Sequence, residues 1–330
     1  MKRKLIILMG IMVLLVSAVS AVVFYISQNN INDSSMDDKS IKVVTSFYPA
    51  YLLTINLTDK IPDFKVDSLA DFSAGCLHDY QLTTGDMRLL SNADVFIING
   101  GGMEEYLDEV IDNYPNLKVI DLSMGIDMLK SEGHHGSVNP HVWLDPQLYI
   151  LQIENARKGI EYYIQENESS IDNYKEVIDK LNSNTRTYLQ EVDRLDEDLE
   201  LILHSVDDMI REKNISNKVV VFHDSFAYIS TKAGLEVAYT VEIDKDTPLS
   251  AGEVAEVITA IKKDDIRYLF TEEQYDDTIS ERIREETDAE VYIIDSAVTG
   301  DAGKDSYLQA MRRNIDTLKK AFEQPVGSPN

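Results

Sequence analysis

The sequence predicts an α/β fold made of two lobes of similar plan, each with a roughly four-stranded sheet, joined by one long rigid helix. Beyond residue 40, short apolar runs alternate with longer stretches of helical periodicity, the pattern of βαβ units. In the middle of the chain, apolar residues recur at helical spacing without a Pro or Gly to interrupt them. Four strand candidates precede that stretch and four follow it.

Residues 1–30 read as an export signal or membrane anchor. Lys2, Arg3 and Lys4 precede an apolar run over 5–26, with small residues near Ala18 and Ala21. Such a run is long enough to span a bilayer, which takes about 20 apolar residues. The basic flank favours the cytoplasmic side, so residues 31–330 are expected outside the membrane. No cysteine follows the run to accept a lipid. The segment is therefore a cleaved signal or an uncleaved anchor, the anchor being favoured. A polar linker, 31–40, leads to the first lobe.

The first lobe is expected over 41–168, with strands IKVVTSF (41–47), FKVDSLA (64–70), DVFIING (94–100) and LKVIDL (117–122). The linker helix is expected over 169–211, on Ile171, Tyr174, Val177, Ile178, Leu181, Tyr188, Leu189, Val192, Leu195 and Leu199. At 1.5 Å per residue it would be about 60 Å long and would run along both lobes. A break near Asn182–Asn184 would give two helices instead. The second lobe, 212–330, has strands KVVVFH (218–223), LEVAYTV (235–241), IRYLFT (266–271) and EVYIID (290–295). It closes with a helix over 306–322 and a frayed tail.

The formal charge of −27 disfavours nucleic acid and anionic membrane surfaces, which are held by Lys/Arg patches. The single cysteine, Cys76, excludes an intramolecular disulfide framework and a cysteine-based zinc cluster. A metal site here would be built mainly from nitrogen and oxygen.

There are six histidines. His223 closes the strand KVVVFH, and Asp295 closes EVYIID. Ligand groups in open α/β sheets gather outside the carboxyl ends of strands. His78 lies in the loop AGCLHDY, and His141 in NPHVWLDP, a segment punctuated by Pro140 and Pro146 and anchored by Trp143. A cleft between the lobes would bring these four side chains together. Three imidazoles and a carboxylate suit a divalent first-row metal. Taken singly, each histidine reads better as a hydrogen-bonded, partly buried residue than as a ligand; their joint placement at strand ends shifts the balance toward a metal site without settling it.

NPHVWLDP, AGCLHDYQLTTGDMRLLSNADVFIINGGGMEEYLD, FHDSFAYIS and PLSAGEVAEVITAIKKDDIRYLFTEEQY resemble the zinc/manganese-type solute-binding proteins of ABC importers, over roughly residues 40–322. The resemblance implies two lobes, a long helix, one metal between the lobes, and an ABC permease as partner. Its ligands match His78, His141, His223 and Asp295. Cys76-Leu77 replaces the family's usual Asp-Pro, and Gln81 its usual Glu. The histidine-rich loop of many zinc members shrinks here to His134-His135, a pair that either captures metal or is simply exposed.

Zn²⁺ is favoured over Mn²⁺ as the transported ion, because manganese-type relatives carry Glu where His223 stands and three imidazoles suit zinc. Cys76 is expected to pack or to remain a spare thiol rather than to bind. His204 reads as structural, and Glu242, Glu272 and Glu273 read either as residues beside or on the rim of the site or, equally, as solvated surface. The expected protein is a monomeric carrier and no enzyme. A zinc hydrolase would need an open coordination position and a general base, and no HExxH, Gly-x-Ser-x-Gly or phosphate-binding glycine loop is present. A surface adhesin is the other alternative.

Overall fold

A computed structural model describes residues 40–62, 64–77, 80–131, 138–213, 215–241, 250–272 and 277–323. The anchor reading of 1–30, the linker up to 39, His78, the His134-His135 pair, Glu242 and Glu273 lie outside the described residues. Among the described residues, no helix is long and apolar enough to cross a membrane.

The first sheet contains β1 (Ile41–Thr45), β2 (Phe64–Ser68), β3 (Val95–Ile98) and β4 (Lys118–Asp121), interleaved with α1 (Tyr48–Leu57), α2 (Thr84–Ser91) and α3 (Leu107–Asn113). Next come α4 (Pro146–Glu166) and α5 (Tyr174–Lys213). The second sheet contains β5 (Lys218–Val221), β6 (Glu236–Thr240), β7 (Tyr268–Thr271) and β8 (Glu290–Ile293), with α6 (Ala227–Lys232), α7 (Ala251–Asp264) and α8 (Asp277–Glu286) between them. A last helix, α9 (Ser306–Glu323), closes the described chain. Both sheets are parallel, with the same spatial order, β2-β1-β3-β4 and β6-β5-β7-β8. All eight expected strands are present, trimmed at their ends.

Period-two alternation explains how one strand serves two cores. In the first sheet, Val43, Val95 and Ile97 face a core shared by both lobes, while Val44, Phe96 and Ile98 face a separate core with Leu90 and Val110. In the second sheet, Val219, Val221, Tyr268 and Phe270 join the shared core, while Val220 and Leu269 face Val257 and Ile283. The inner faces of the two sheets therefore drain into one continuous apolar interior.

Local chemistry sets the boundaries. Asp145 accepts a hydrogen bond from Gln147 N at 2.9 Å and caps α4, with Pro146 at its first position. Thr83 and Asp86 form a capping box on α2, and Ser250 and Glu253 form another on α7. The 40-residue α5 runs unbroken through Asn182–Asn184. It starts at Tyr174 rather than near 169 because Asn173 takes a left-handed φ of 54°, which ends any helix arriving from its N-terminal side.

The long helix ties both lobes. Asn184 Nδ2 donates to the carbonyls of Leu57 (3.0 Å) and Asp59 (2.8 Å) below α1. Lys232 on α6 reaches Asp196 on α5, with Asp145 and Glu200 each at 3.4 Å. Burial pulls the Lys232 ammonium down, but the three carboxylates outweigh it and hold its pKa above the usual lysine value.

At the end of β3, Gly100 adopts φ +78°, and a Cβ there would lie 1.9 Å from Asp121 Oδ1. Asp121 has little room to yield, since its Oδ1 accepts from Ser123 N (2.8 Å) and Ser123 Oγ (2.7 Å). Gly100→Ala is expected to cost about 1–3 kcal/mol, read as a lower urea midpoint at unchanged slope.

Candidate metal centre

In the second sheet, β5 and β7 are neighbours, and β6 lies on the other side of β5. The chain thus leaves β5 in one direction and β7 in the other, the place where such sheets open a crevice at their carboxyl ends. His223 follows β5 and Glu272 follows β7. His223 has extended backbone, and its Nδ1 lies 3.3 Å from both Ser225 N and Glu272 Oε1. Glu272 is 3 % exposed, accepting from Ser225 Oγ at 3.3 Å and Ser296 Oγ at 3.0 Å. Burial pushes its carboxyl up to about 7 against the pull of those hydroxyls.

From the first lobe, NPHVWLDP forms a single 3-10 turn, Val142–Leu144, leading into α4. His141 precedes that turn and is buried. Asn139 holds it from both ends: Asn139 Oδ1 accepts from His141 N at 3.0 Å and lies 2.8 Å from His141 Nδ1. Asn139 Nδ2 donates to the Asp224 carbonyl at 2.8 Å, which fixes which end of the amide is oxygen. His141 Nδ1 must then carry the proton, so Nε2 presents its lone pair. A neighbouring group thus sets the tautomer a metal needs.

The His141 and His223 rings stand edge to face, with centroids 4.8 Å apart. Cys76, in the loop after β2, places Sγ 3.6 Å from His141 Nε2. One ligand atom from each of Cys76, His141 and His223 lies within 4.8 Å of the others. Burial pushes the Cys76 thiol well up, and the Glu272 carboxylate adds to that.

Asp295 is not in this group. Its Oδ2 accepts from Arg313 Nη2 at 2.6 Å and its Oδ1 from Ala297 N at 2.8 Å, while Asn314 bonds its backbone. With Glu272 it lines a neighbouring cavity of about 610 Å³, walled also by Thr299, Gly300, Arg313 and Asn314. His204 sits on an exposed face of α5. The structure thus brings together His141 and His223 from opposite lobes, adds Cys76, and places Glu272 against His223. The sequence signal for Glu272 was its place at the end of β7; that for Cys76 was its substitution into the family's motif.

Hydrogen bonds hold the two lobes around this point. Trp143 Nε1 donates to the Ser296 carbonyl at 2.8 Å, Tyr307 Oη to the Trp143 carbonyl at 2.8 Å, and Tyr228 Oη to the Asn139 carbonyl at 2.6 Å.

Comparison with known proteins agrees with this architecture. A manganese-binding lipoprotein, MntA, of Halalkalibacterium halodurans is 25% identical over 259 residues, covering 75% of this chain and 78% of its own. A zinc-binding lipoprotein, AdcA, of Streptococcus pneumoniae is 23% identical, covering 87% of this chain; the match spans only 57% of AdcA's length. Among solved structures, Zn(II)-bound AdcA from Streptococcus pneumoniae superposes with a TM-score of 0.70 at 22% identity, over 88% of this chain and 60% of that one. The solute-binding protein FpvC from Pseudomonas aeruginosa in complex with Mn²⁺ gives 0.69 at 20% identity, over 86% and 98%. These likenesses establish a shared fold. The family model described as zinc-uptake complex component A, periplasmic, matches residues 43–321, nearly the whole described chain, and the protein belongs to that family.

Proposed function

We propose that this protein captures a divalent transition metal outside the membrane and delivers it to an ABC import permease, with Zn²⁺ preferred over Mn²⁺. The observation that carries this reading is the meeting of His141 and His223, one from each lobe, with ring centroids 4.8 Å apart. A site made by both lobes exists only in the folded protein, as a carrier requires. The zinc and manganese named for AdcA and MntA support a first-row cation as cargo, and imidazole donors tilt the choice to zinc. The family resemblance adds His78 and Asp295 to the ligand set. Asp295 would exchange Arg313 for the metal on binding.

A shell filled by protein leaves no position for a reacting water, which suits transport and not catalysis. The apolar segment at 5–26 would hold the carrier at the membrane beside its permease. The hydrogen-bonded seam between the lobes favours release by local loop movement over wide opening.

The test is a titration of the full-length chain, held in detergent and stripped of metal, with Zn²⁺ and with Mn²⁺. One tight equivalent of zinc and weaker manganese are expected. Zinc affinity should fall steadily from pH 7.5 to 5, because protonated imidazoles cannot bind a cation. Absence of stoichiometric binding, or binding indifferent to acid, overturns the reading.

A further inference from the structure

We propose that Cys76 is itself a metal ligand, so that the site is a mixed thiolate–imidazole centre built for a thiophilic divalent cation. This rests on the metal-capture reading and specifies its donor set. Zinc bonds to sulfur at about 2.3 Å and to imidazole nitrogen at about 2.0–2.1 Å, so two such ligands on a tetrahedral ion stand about 3.6 Å apart. Cys76 Sγ and His141 Nε2 are 3.6 Å apart, with His223 completing a triangle whose atoms lie within 4.8 Å of one another. An ion placed among these three needs no side chain to travel far. Asp295, by contrast, must first leave Arg313, which holds it at 2.6 Å.

The proton balance is simple. With His141 Nδ1 protonated toward Asn139, Nε2 offers a lone pair that the Cys76 S–H can donate to in the metal-free protein. An arriving cation takes the Nε2 lone pair and a sulfur lone pair; the S–H bond breaks and its proton leaves to solvent. One thiol proton is therefore released per ion bound. A sulfur donor raises affinity for zinc, cadmium and cobalt more than for manganese, which prefers oxygen.

The experiment loads the full-length chain with Co²⁺ and records its absorption spectrum, for wild type and for Cys76→Ser. A near-ultraviolet sulfur-to-cobalt charge-transfer band is expected in wild type and absent in the variant, whose visible ligand-field bands persist through the histidines. Zinc affinity of Cys76→Ser should fall by about tenfold more than its manganese affinity. A second measurement uses wild type alone: one equivalent of Zn²⁺ should slow alkylation of the single thiol at least about tenfold, an estimate for a thiol whose sulfur is tied up as the metal-bound thiolate. Stoichiometric Co²⁺ binding with no charge-transfer band, or a thiol alkylated equally fast with and without zinc, overturns the ligand role while leaving metal capture in place. If the wild-type chain binds neither ion, both readings fall together.

Discussion

His223→Ala should lower Zn²⁺ affinity more than about 100-fold while leaving the protein folded. Removing a group that merely orients a ligand typically costs 10–100-fold, and a direct ligand should exceed that. The structure suits the experiment. The His223 side chain is 18 % exposed and packs no core of its own, so its removal opens little cavity. The fold loses the 3.3 Å contacts of His223 Nδ1 to Ser225 N and Glu272 Oε1 and the edge-to-face contact with the His141 ring, a modest cost for a side chain at the start of a single 3-10 turn. The Ser225 hydroxyl still reaches Glu272, which keeps that carboxylate in place. His204→Ala, on the exposed face of α5, is the matched control and should bind zinc as wild type does. Titration calorimetry reads the affinity, and the urea midpoint reads the fold. A His223→Ala protein that still binds zinc tightly would move the site away from the seam between the lobes.

The fold was legible because its signals are local and repeated. Each strand is a short apolar run at the end of a helical stretch, and runs such as KVVVFH and DVFIING are too apolar for a one-sided strand, which foretells the double-sided burial of Val219, Val220 and Val221. The unbroken α5 follows from 40 residues of helical periodicity without Pro or Gly. Its true start was not legible, since the left-handed turn at Asn173 depends on how α4 hands over to α5.

The site was legible only where an element end carried it. His223 was visible at the end of a strand run and His141 in a stiff proline-bounded segment, and the structure brings these two together, whereas Asp295, equally visible at a strand end, stands apart on Arg313. Their surroundings were not visible. Arg313 lies 18 residues beyond Asp295 on α9, and no local pattern pairs them. Asn139, which sets the His141 tautomer by bonding to Asp224 of the other lobe, reads in sequence as an ordinary turn residue. Cys76 has no periodicity to place it, because a loop side chain is aimed by tertiary contacts. What the chain order does reveal, with the strand order known, is Glu272. It directly follows β7, the strand next to β5, which brings it beside His223.

Trp143→Ala should cost about 3–5 kcal/mol of stability, the range for truncating a large aromatic in a packed core. Trp143 is wholly buried at the seam between the lobes. Phe47 meets it edge-on at 5.2 Å, and the His141 ring lies 5.2 Å from it on another side. Its indole N–H spans from the first lobe to the Ser296 carbonyl of the second. Truncation therefore does three things at once: it opens a cavity in the shared core, strands a buried carbonyl, and loosens a wall of the metal centre. Trp143→Phe separates them. It keeps most of the apolar contact but leaves Ser296 without its donor, which by itself costs about 1–3 kcal/mol. Urea unfolding of the two variants should rank Ala well below Phe, and zinc affinity should drop in both, more in Ala, because His141 loses the surface that holds its ring. If both variants unfold as wild type does, the Trp143 side chain contributes nothing to keeping the lobes together, and α5 with the Tyr228 and Tyr307 hydrogen bonds suffices.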